Sequence, residues 1–214
     1  VYRILNSLEH YSMVRRDTQG RYTLGPRLLS LAARVVPQNT HTDLRTLAMP
    51  HLRRISDSTG HSAKLSVSDG ANTLVIATVT GVPGMSLSVA PGQRIPLHAG
   101  AAGKVLLAFL PREERDTWIA QDHASYTSHT ISDPKALNEE LDQIASRGWA
   151  DDRGEFTPNV EAYAAGVVDH DGKTVAALSI PFLSGVTERQ REEIKAAVIT
   201  AAGAISADVP RPRG

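Results

Sequence analysis

The spacing of apolar and polar positions changes from segment to segment along this chain, and each change marks an element. Over residues 1–10, Val1, Ile4, Leu5 and Leu8 recur at helical spacing, while Tyr2, Arg3, Asn6, Ser7 and His10 fall on the other faces. No cap precedes this helix and its stripe needs a surface to bury against, so the pattern predicts further helical sequence upstream of Val1. Short strands over residues 13–16 and 21–25, joined by Asp17, Thr18, Gln19 and Gly20, read as a β-hairpin. Pro26 suits the first turn of another helix, with Leu28, Leu31, Ala32 and Val35 as its stripe. Pro37, Gln38, Asn39 and Thr40 end that helix and mark a domain boundary.

The segment 41–208 reads as one α/β (α+β) domain, followed by a short tail over 209–214. A helix over 42–58 turns Leu44, Leu47, Leu52 and Ile55 inward and stops at Gly60; Pro50 inside it predicts a kink or a break into two. Strands at 62–68 and 73–80 flank a turn containing Asp69 and Gly70. Residues 81–97 are rich in Gly and Pro, with Met85, Leu87 and Val89 alternating between them. Residues 100–110 form a buried helix, and 112–121 and 134–147 form amphipathic ones, the last stopped by Gly148. Strands follow at 148–152, 160–169 and 174–181, and a helix over 187–207 is capped by Thr187 and buries Ile194, Val198, Ala201 and Ile205. Hairpins interleaved with helices predict an antiparallel sheet covered by helices rather than repeated βαβ units.

Composition narrows the class. Apolar residues at 41% and charged residues at 21% are ordinary for a globular chain. No apolar run reaches the ~20 residues that a membrane span needs. Cysteine is absent, which excludes disulfides and Cys-based zinc sites; with no signal peptide visible, the expectation is a cytoplasmic chain without a membrane partner. Net charge is zero, but residues 1–34 carry Arg3, Arg15, Arg16, Arg21, Arg27 and Arg34 against only Glu9 and Asp17. A helix followed directly by a basic hairpin is the back half of a winged helix-turn-helix, in which the helix enters the major groove and the hairpin lies on phosphates. Arg3, Asn6 and Ser7 are then candidates for base or phosphate contacts, Tyr2 for stacking on the backbone, and Arg15, Arg16 and Arg21 for phosphates. The competing reading is a set of arginines that only solubilise a hairpin edge.

Gly100, Ala101, Ala102 and Gly103 open a helix with no large side chain in the way. Helix N-termini expose unpaired N–H groups and partial positive charge, so a carboxylate or carbonyl can approach there. The competing reading is close helix–sheet packing. A Walker-type phosphate loop does not fit: two residues, not four, separate the glycines, and Val105 follows Lys104 where Ser or Thr is required. Asp151, Asp152 and Glu155 lack a nucleophile or base partner, so neither an enzyme nor a cofactor is expected. His98, His123 and His129 fit no standard zinc spacing, and no metal is expected.

The order of several motifs resembles the IclR family of bacterial transcriptional regulators. Residues 1–8 (VYRILNSL) resemble its recognition helix, Val14, Arg15 and Arg16 with Tyr22, Thr23, Leu24 and Gly25 its wing, and Arg27, Leu28 and Leu29 the start of its linker helix. Residues 98–104 (HAGAAGK) with 106–108 (LLA), 148–152 (GWADD), Glu155 and Phe156, and 175–180 (VAALSI) complete the pattern. The resemblance implies residues 1–25 as a partial winged helix-turn-helix domain, 26–40 as a linker helix and 41–208 as a GAF-like effector-binding domain. It also implies operator DNA and a small-molecule effector as partners, and self-association as a homodimer or a dimer of dimers (homotetramer). Its pocket maps onto Asp152, Ala162, Ser179 and Pro181, with Val160, Met85 and Leu87 as apolar walls beside Gly100, Ala101, Ala102 and Gly103. Many members carry Cys where this chain has Ala162 and Ser where it has Pro181. Each departure removes a polar group, so a roomier, less polar pocket is expected, suited to a larger organic acid or an aromatic catabolite. Asp152 either accepts from a ligand hydroxyl or caps a loop. The alternative reading is a GAF-like sensor and dimerisation module without DNA binding.

Overall fold

The computed structural model describes residues 2–28, 31, 40–84, 87 and 90–210. The chain divides into two compact units, residues 1–43 and 44–214. In the first, α1 (Tyr2–His10) is followed by a hairpin of β1 (Val14–Arg16) and β2 (Tyr22–Leu24). Asp17 builds the turn: its carboxylate accepts from the Gln19 and Arg21 N–H groups at 2.9 and 2.8 Å. Gly25 closes the hairpin, because a Cβ there would lie 2.1 Å from the Ser12 carbonyl oxygen. The helix predicted from Pro26 is described only at Arg27, Leu28 and Leu31, which are helical; the rest of it lies outside the described residues.

The second unit is built on a six-stranded antiparallel sheet in the order β5-β4-β3-β8-β7-β6. Its strands are β3 (Ala63–Asp69), β4 (Asn72–Val79), β5 (Arg94–Pro96), β6 (Trp149–Arg153), β7 (Val160–Val168) and β8 (Thr174–Leu183). Strand β5 was not expected from the Gly/Pro-rich pattern. It is three residues long and pairs only with β4 at the sheet edge, where Pro96 is tolerated.

Period-two alternation gives the sheet two different faces. Ala63, Leu65, Val67, Tyr163, Ala165, Val167, Leu178 and Ile180 pack with α2 (Thr40–Thr59) and α6 (Glu188–Asp208). Ala150, Ala162, Ala164 and Ala177 point the other way, under α3 (Ala101–Ala108), α4 (Arg112–Ile119) and α5 (Pro134–Arg147). Large side chains build the first core; small ones on the second face let α3 come close.

Helix ends follow their local chemistry. Asp133 caps α5 by accepting from Ala136 N–H at 2.8 Å, and Gly148 ends it at φ 81°. Thr187 and Gln190 form a reciprocal capping box at the start of α6, and Arg189 pairs with Glu193 at 2.8 Å. Two expectations need correction. Helix α2 runs through Pro50 as one element, held by Leu44, Ala48, Leu52 and Ile55, which are buried on both sides of the proline. On α6 the buried residue is Ala202, not Ala201, which is only partly covered.

Truncating the central core should be costly. Leu178→Ala, at a fully buried position of β8, is expected to lose about 2–5 kcal/mol. Ile199→Ala, at a position 41% exposed on α6, should change stability by less than about 0.5 kcal/mol. Urea unfolding of the two variants checks this contrast.

Candidate functional site

A cavity of about 220 Å³ lies between the N-terminus of α3 and the small-residue face of the sheet. Lys64, Thr73, Leu87, Gln93, Ile95, Gly100, Ala101, Ala102, Gly103, Asp152, Phe156, Thr157, Val160, Ala162, Ser179 and Pro181 line it. All the candidate pocket residues from the sequence are thus brought together except Met85, which lies outside the described residues. Sheet register explains the convergence. Asp152 stands opposite Ala162, Ala162 opposite Pro181, and Ser179 opposite Lys64, so residues far apart in sequence share one face.

The small residues at the start of α3 allow close packing and leave the helix end uncapped. Gly103 is required for packing: a Cβ there would lie 2.3 Å from the Leu97 carbonyl oxygen and 2.7 Å from its carbon. Gly100 caps the helix at φ 119° with no side-chain cap bond. Lys104 N–H is the first to bond back, to the Gly100 carbonyl at 3.1 Å. The N–H groups of Ala101, Ala102 and Gly103 therefore precede the helical ladder and face the cavity end of the helix. Ser179 is fully buried and its hydroxyl has no partner among the described residues.

Charge is concentrated beneath this turn. Lys104, 1% exposed, donates to Glu155 at 2.5 Å and to Glu140 at 3.4 Å. The other Glu155 oxygen accepts from Gly100 N–H at 3.5 Å. Asp152 also caps the loop, its Oδ1 accepting from Glu155 N–H at 2.8 Å, so it is both a loop cap and a cavity wall. Burial pushes the Asp152 carboxyl above the usual range, opposed by the Glu155 N–H bond and by the Lys104 and Lys64 ammonium groups. Burial brings Lys64 down to about 8, with the Asp152 charge resisting. Neighbouring Asp151 goes the other way: burial would raise it, but Arg153, Lys104 and Arg147 together hold it below the usual range.

The residues that sequence reading missed in the cavity are Lys64, Thr73, Gln93, Ile95, Phe156 and Thr157. Lys64 alone carried a signal: a charge at an inward position of an apolar strand. His98 lies outside the lining; its Nε2–H donates to the Ala124 carbonyl at 2.8 Å. Burial lowers its pKa, and its ring lies 4.9 Å from that of His123. Among the described residues His129 joins no metal-binding group with these two; the one such group is the half-buried Asp169 with the exposed His170 and Asp171 of a hairpin turn.

On α1, Arg3, Asn6 and Ser7 are all exposed, and their spacing places them on one side of the helix. The side chain of Tyr2 lies outside the described residues. Arg15 is exposed. Arg16 lies over the Tyr22 ring at 5.7 Å and donates to the Gly20 carbonyl, and Arg21 pairs with Asp17 at 2.9 Å. No helix among the described residues is long and apolar enough to cross a membrane.

Glu155 sets a pH dependence. Burial pushes its carboxyl up to about 7; the Lys104 ammonium opposes the rise and the Asp152 charge adds to it. The folded state then keeps a proton that the unfolded chain, at an ordinary 4.5, has already lost. The stability from this group is complete below pH 4.5 and is lost as pH rises to about 7, by roughly 3 kcal/mol. Glu155→Gln should flatten that slope. Above pH 7 the variant should match or exceed wild type, because the raised pKa means that the folded site favours a neutral group over the ionised carboxylate. Urea titrations between pH 4.5 and 8 check both; an unchanged slope would mean that Glu155 is ionised throughout.

Comparison with known proteins places this architecture. Residues 38–207 match the family described as bacterial transcriptional regulator IclR C-terminal. The HTH-type transcriptional regulator KipR of Bacillus subtilis is 31% identical over 181 residues, covering 84% of this chain and 71% of that protein. The solved Thermotoga maritima IclR is 28% identical with a TM-score of 0.81, covering 97% of this chain and 84% of that one. An IclR homologue from Microbacterium hydrocarbonoxydans, solved with 4-hydroxybenzoate, shares the fold at 23% identity and a TM-score of 0.84, covering 97% and 84%. With this fold, a cavity at an open helix N-terminus and relatives that are regulators rather than enzymes, the chain belongs to the IclR family of bacterial transcriptional regulators and carries its effector-binding domain.

Proposed function

We propose that the cavity is the effector site and that its ligand is an organic acid of aromatic size. The observation that carries this is the convergence of Gly100, Ala101, Ala102, Gly103, Asp152, Val160, Ala162, Ser179 and Pro181 on one cavity. Size favours a ring. An engineered cavity of roughly 150 Å³ takes benzene, and about 220 Å³ leaves room for a carboxylate beside it. Ala162 and Pro181 offer no side-chain polar group to a small keto acid, whereas Leu87, Ile95, Phe156 and Val160 offer apolar walls. The 4-hydroxybenzoate bound by the Microbacterium homologue is a ligand of this class.

Residues 1–25 supply the back half of a winged helix-turn-helix, 26–40 the linker helix, and 41–208 the effector domain. In the complete protein, Arg3, Asn6 and Ser7 read or brace operator DNA, with Tyr2 beside them, and Arg15, Arg16 and Arg21 meet phosphates. The exposed Arg3, Asn6, Ser7 and Arg15 support this; Arg21 would exchange its Asp17 partner for phosphate. Effector binding then shifts the geometry with which two associated copies present their DNA-reading heads.

A thermal-shift screen of carboxylic acids tests the ligand class. An acid at 100 times its Kd should add ~2.7 kcal/mol, or about 5–10 °C in Tm. Tight binding of glyoxylate or pyruvate, with nothing larger bound, would overturn the size argument. For the DNA side, Arg16→Ala in a protein carrying the whole DNA-binding region should weaken binding at all sequences. It should also lower the slope of log K against log salt by about 0.9. An intact slope would remove Arg16 from the interface.

A further inference from the structure

Strand β3 carries a charge where the sheet has no use for one. Ala63, Leu65 and Val67 fill the core under α2 and α6, and Lys64 and Ser66 alternate to the opposite face. Lys64 stands opposite Ser179 on β8, is 7% exposed, and lines the cavity with Gly100, Ala101 and Asp152. Among the described residues no carboxylate lies within ion-pairing distance of its ammonium group, and Asp152 acts on it only through space. The other buried lysine makes the contrast: Lys104 is closed off by Glu155 and Glu140. A buried ammonium without an acceptor is costly, and this one opens onto a space large enough for a ligand.

Two further donors face the same space. The first N–H groups of α3 have no side-chain cap, and the Ser179 hydroxyl has no partner among the described residues. The acceptor in the wall is Asp152, with Glu155 just beneath the Gly100 turn. We propose that Lys64 is the charge partner of the effector carboxylate, which it holds against the N-terminus of α3, so that the site selects monocarboxylates with a hydrogen-bond donor for Asp152. A second carboxylate on the ligand would meet Asp152 and be rejected. The assignment rests on the reading of the cavity as the effector site.

The test compares wild type, Lys64→Met and Ala162→Phe, the last filling the cavity. The probes are 4-hydroxybenzoate and 3-(4-hydroxyphenyl)propionate, each beside its uncharged amide, and terephthalate as a dicarboxylate, followed by calorimetry. Wild type should prefer an acid over its amide and reject terephthalate. Lys64→Met should weaken the acid about 10- to 100-fold, the effect of losing one charge-assisted hydrogen bond, and leave the amide unchanged. If Ala162→Phe abolishes acid binding while Lys64→Met binds as wild type does, the lysine assignment is overturned and the cavity reading stands. If Ala162→Phe binds normally, the cavity reading fails and takes the lysine with it. Melting without ligand adds a probe-independent readout. Lys64→Met should melt above wild type, because an unpaired buried cation has been removed; a lower Tm would make Lys64 a structural residue and overturn the proposal even if no probe binds.

Discussion

The first turn of α3 packs against the turn that leads into it, at Leu97, only because residue 103 has no side chain. A Cβ at Gly103 would overlap the Leu97 backbone, and no rotamer change relieves a clash with main chain. Ala150, Ala162, Ala164 and Ala177 extend the same economy of volume across the sheet face below. Close approach at one end of the helix and small residues beneath it leave a cavity at the helix N-terminus. The opposite face of the same strands, filled with Leu65, Tyr163, Leu178 and Phe182, leaves no such space. One alternation of side chains thus builds a rigid core on one side and a binding space on the other.

The electrostatics follow from that placement. A helix N-terminus held against a sheet draws negative charge, and Asp152 on β6 and Glu155 in the loop after it supply it. Lys104 sits within the helix and neutralises Glu155 from below. Lys64 enters from the sheet and has no ion pair among the described residues. The site therefore carries charges of both signs in a space where water screens little, so a ligand's charge state and polar groups decide its fit as much as its shape.

Much of this was legible from residue order. Helical and period-two spacing located nearly all the elements, and Thr187, Gly148 and the Asp17 turn marked their ends through local chemistry that needs no tertiary contact. Strand β5 was not legible, because three residues at an edge carry no period of their own. Pro50 misled because buried residues on both sides hold α2 together where local propensity predicts a break. Ala201 and Ala202 differ by one step in a run of alanines, where helical periodicity has nothing apolar to measure.

By itself the sequence determined the class of fold, the small-residue start of α3 and the motif order of the family, since these depend on local geometry and spacing. Only the tertiary structure decided that Lys64 belongs to the cavity. Its strand neighbours mark it as an inward-facing lysine. Whether such a residue is paired, as Lys104 is, or left open depends on where β6, the loop after it and α5 put Asp152, Glu155 and Glu140. Those groups come from segments up to about a hundred residues away, brought together by strand register and by the missing side chain at Gly103.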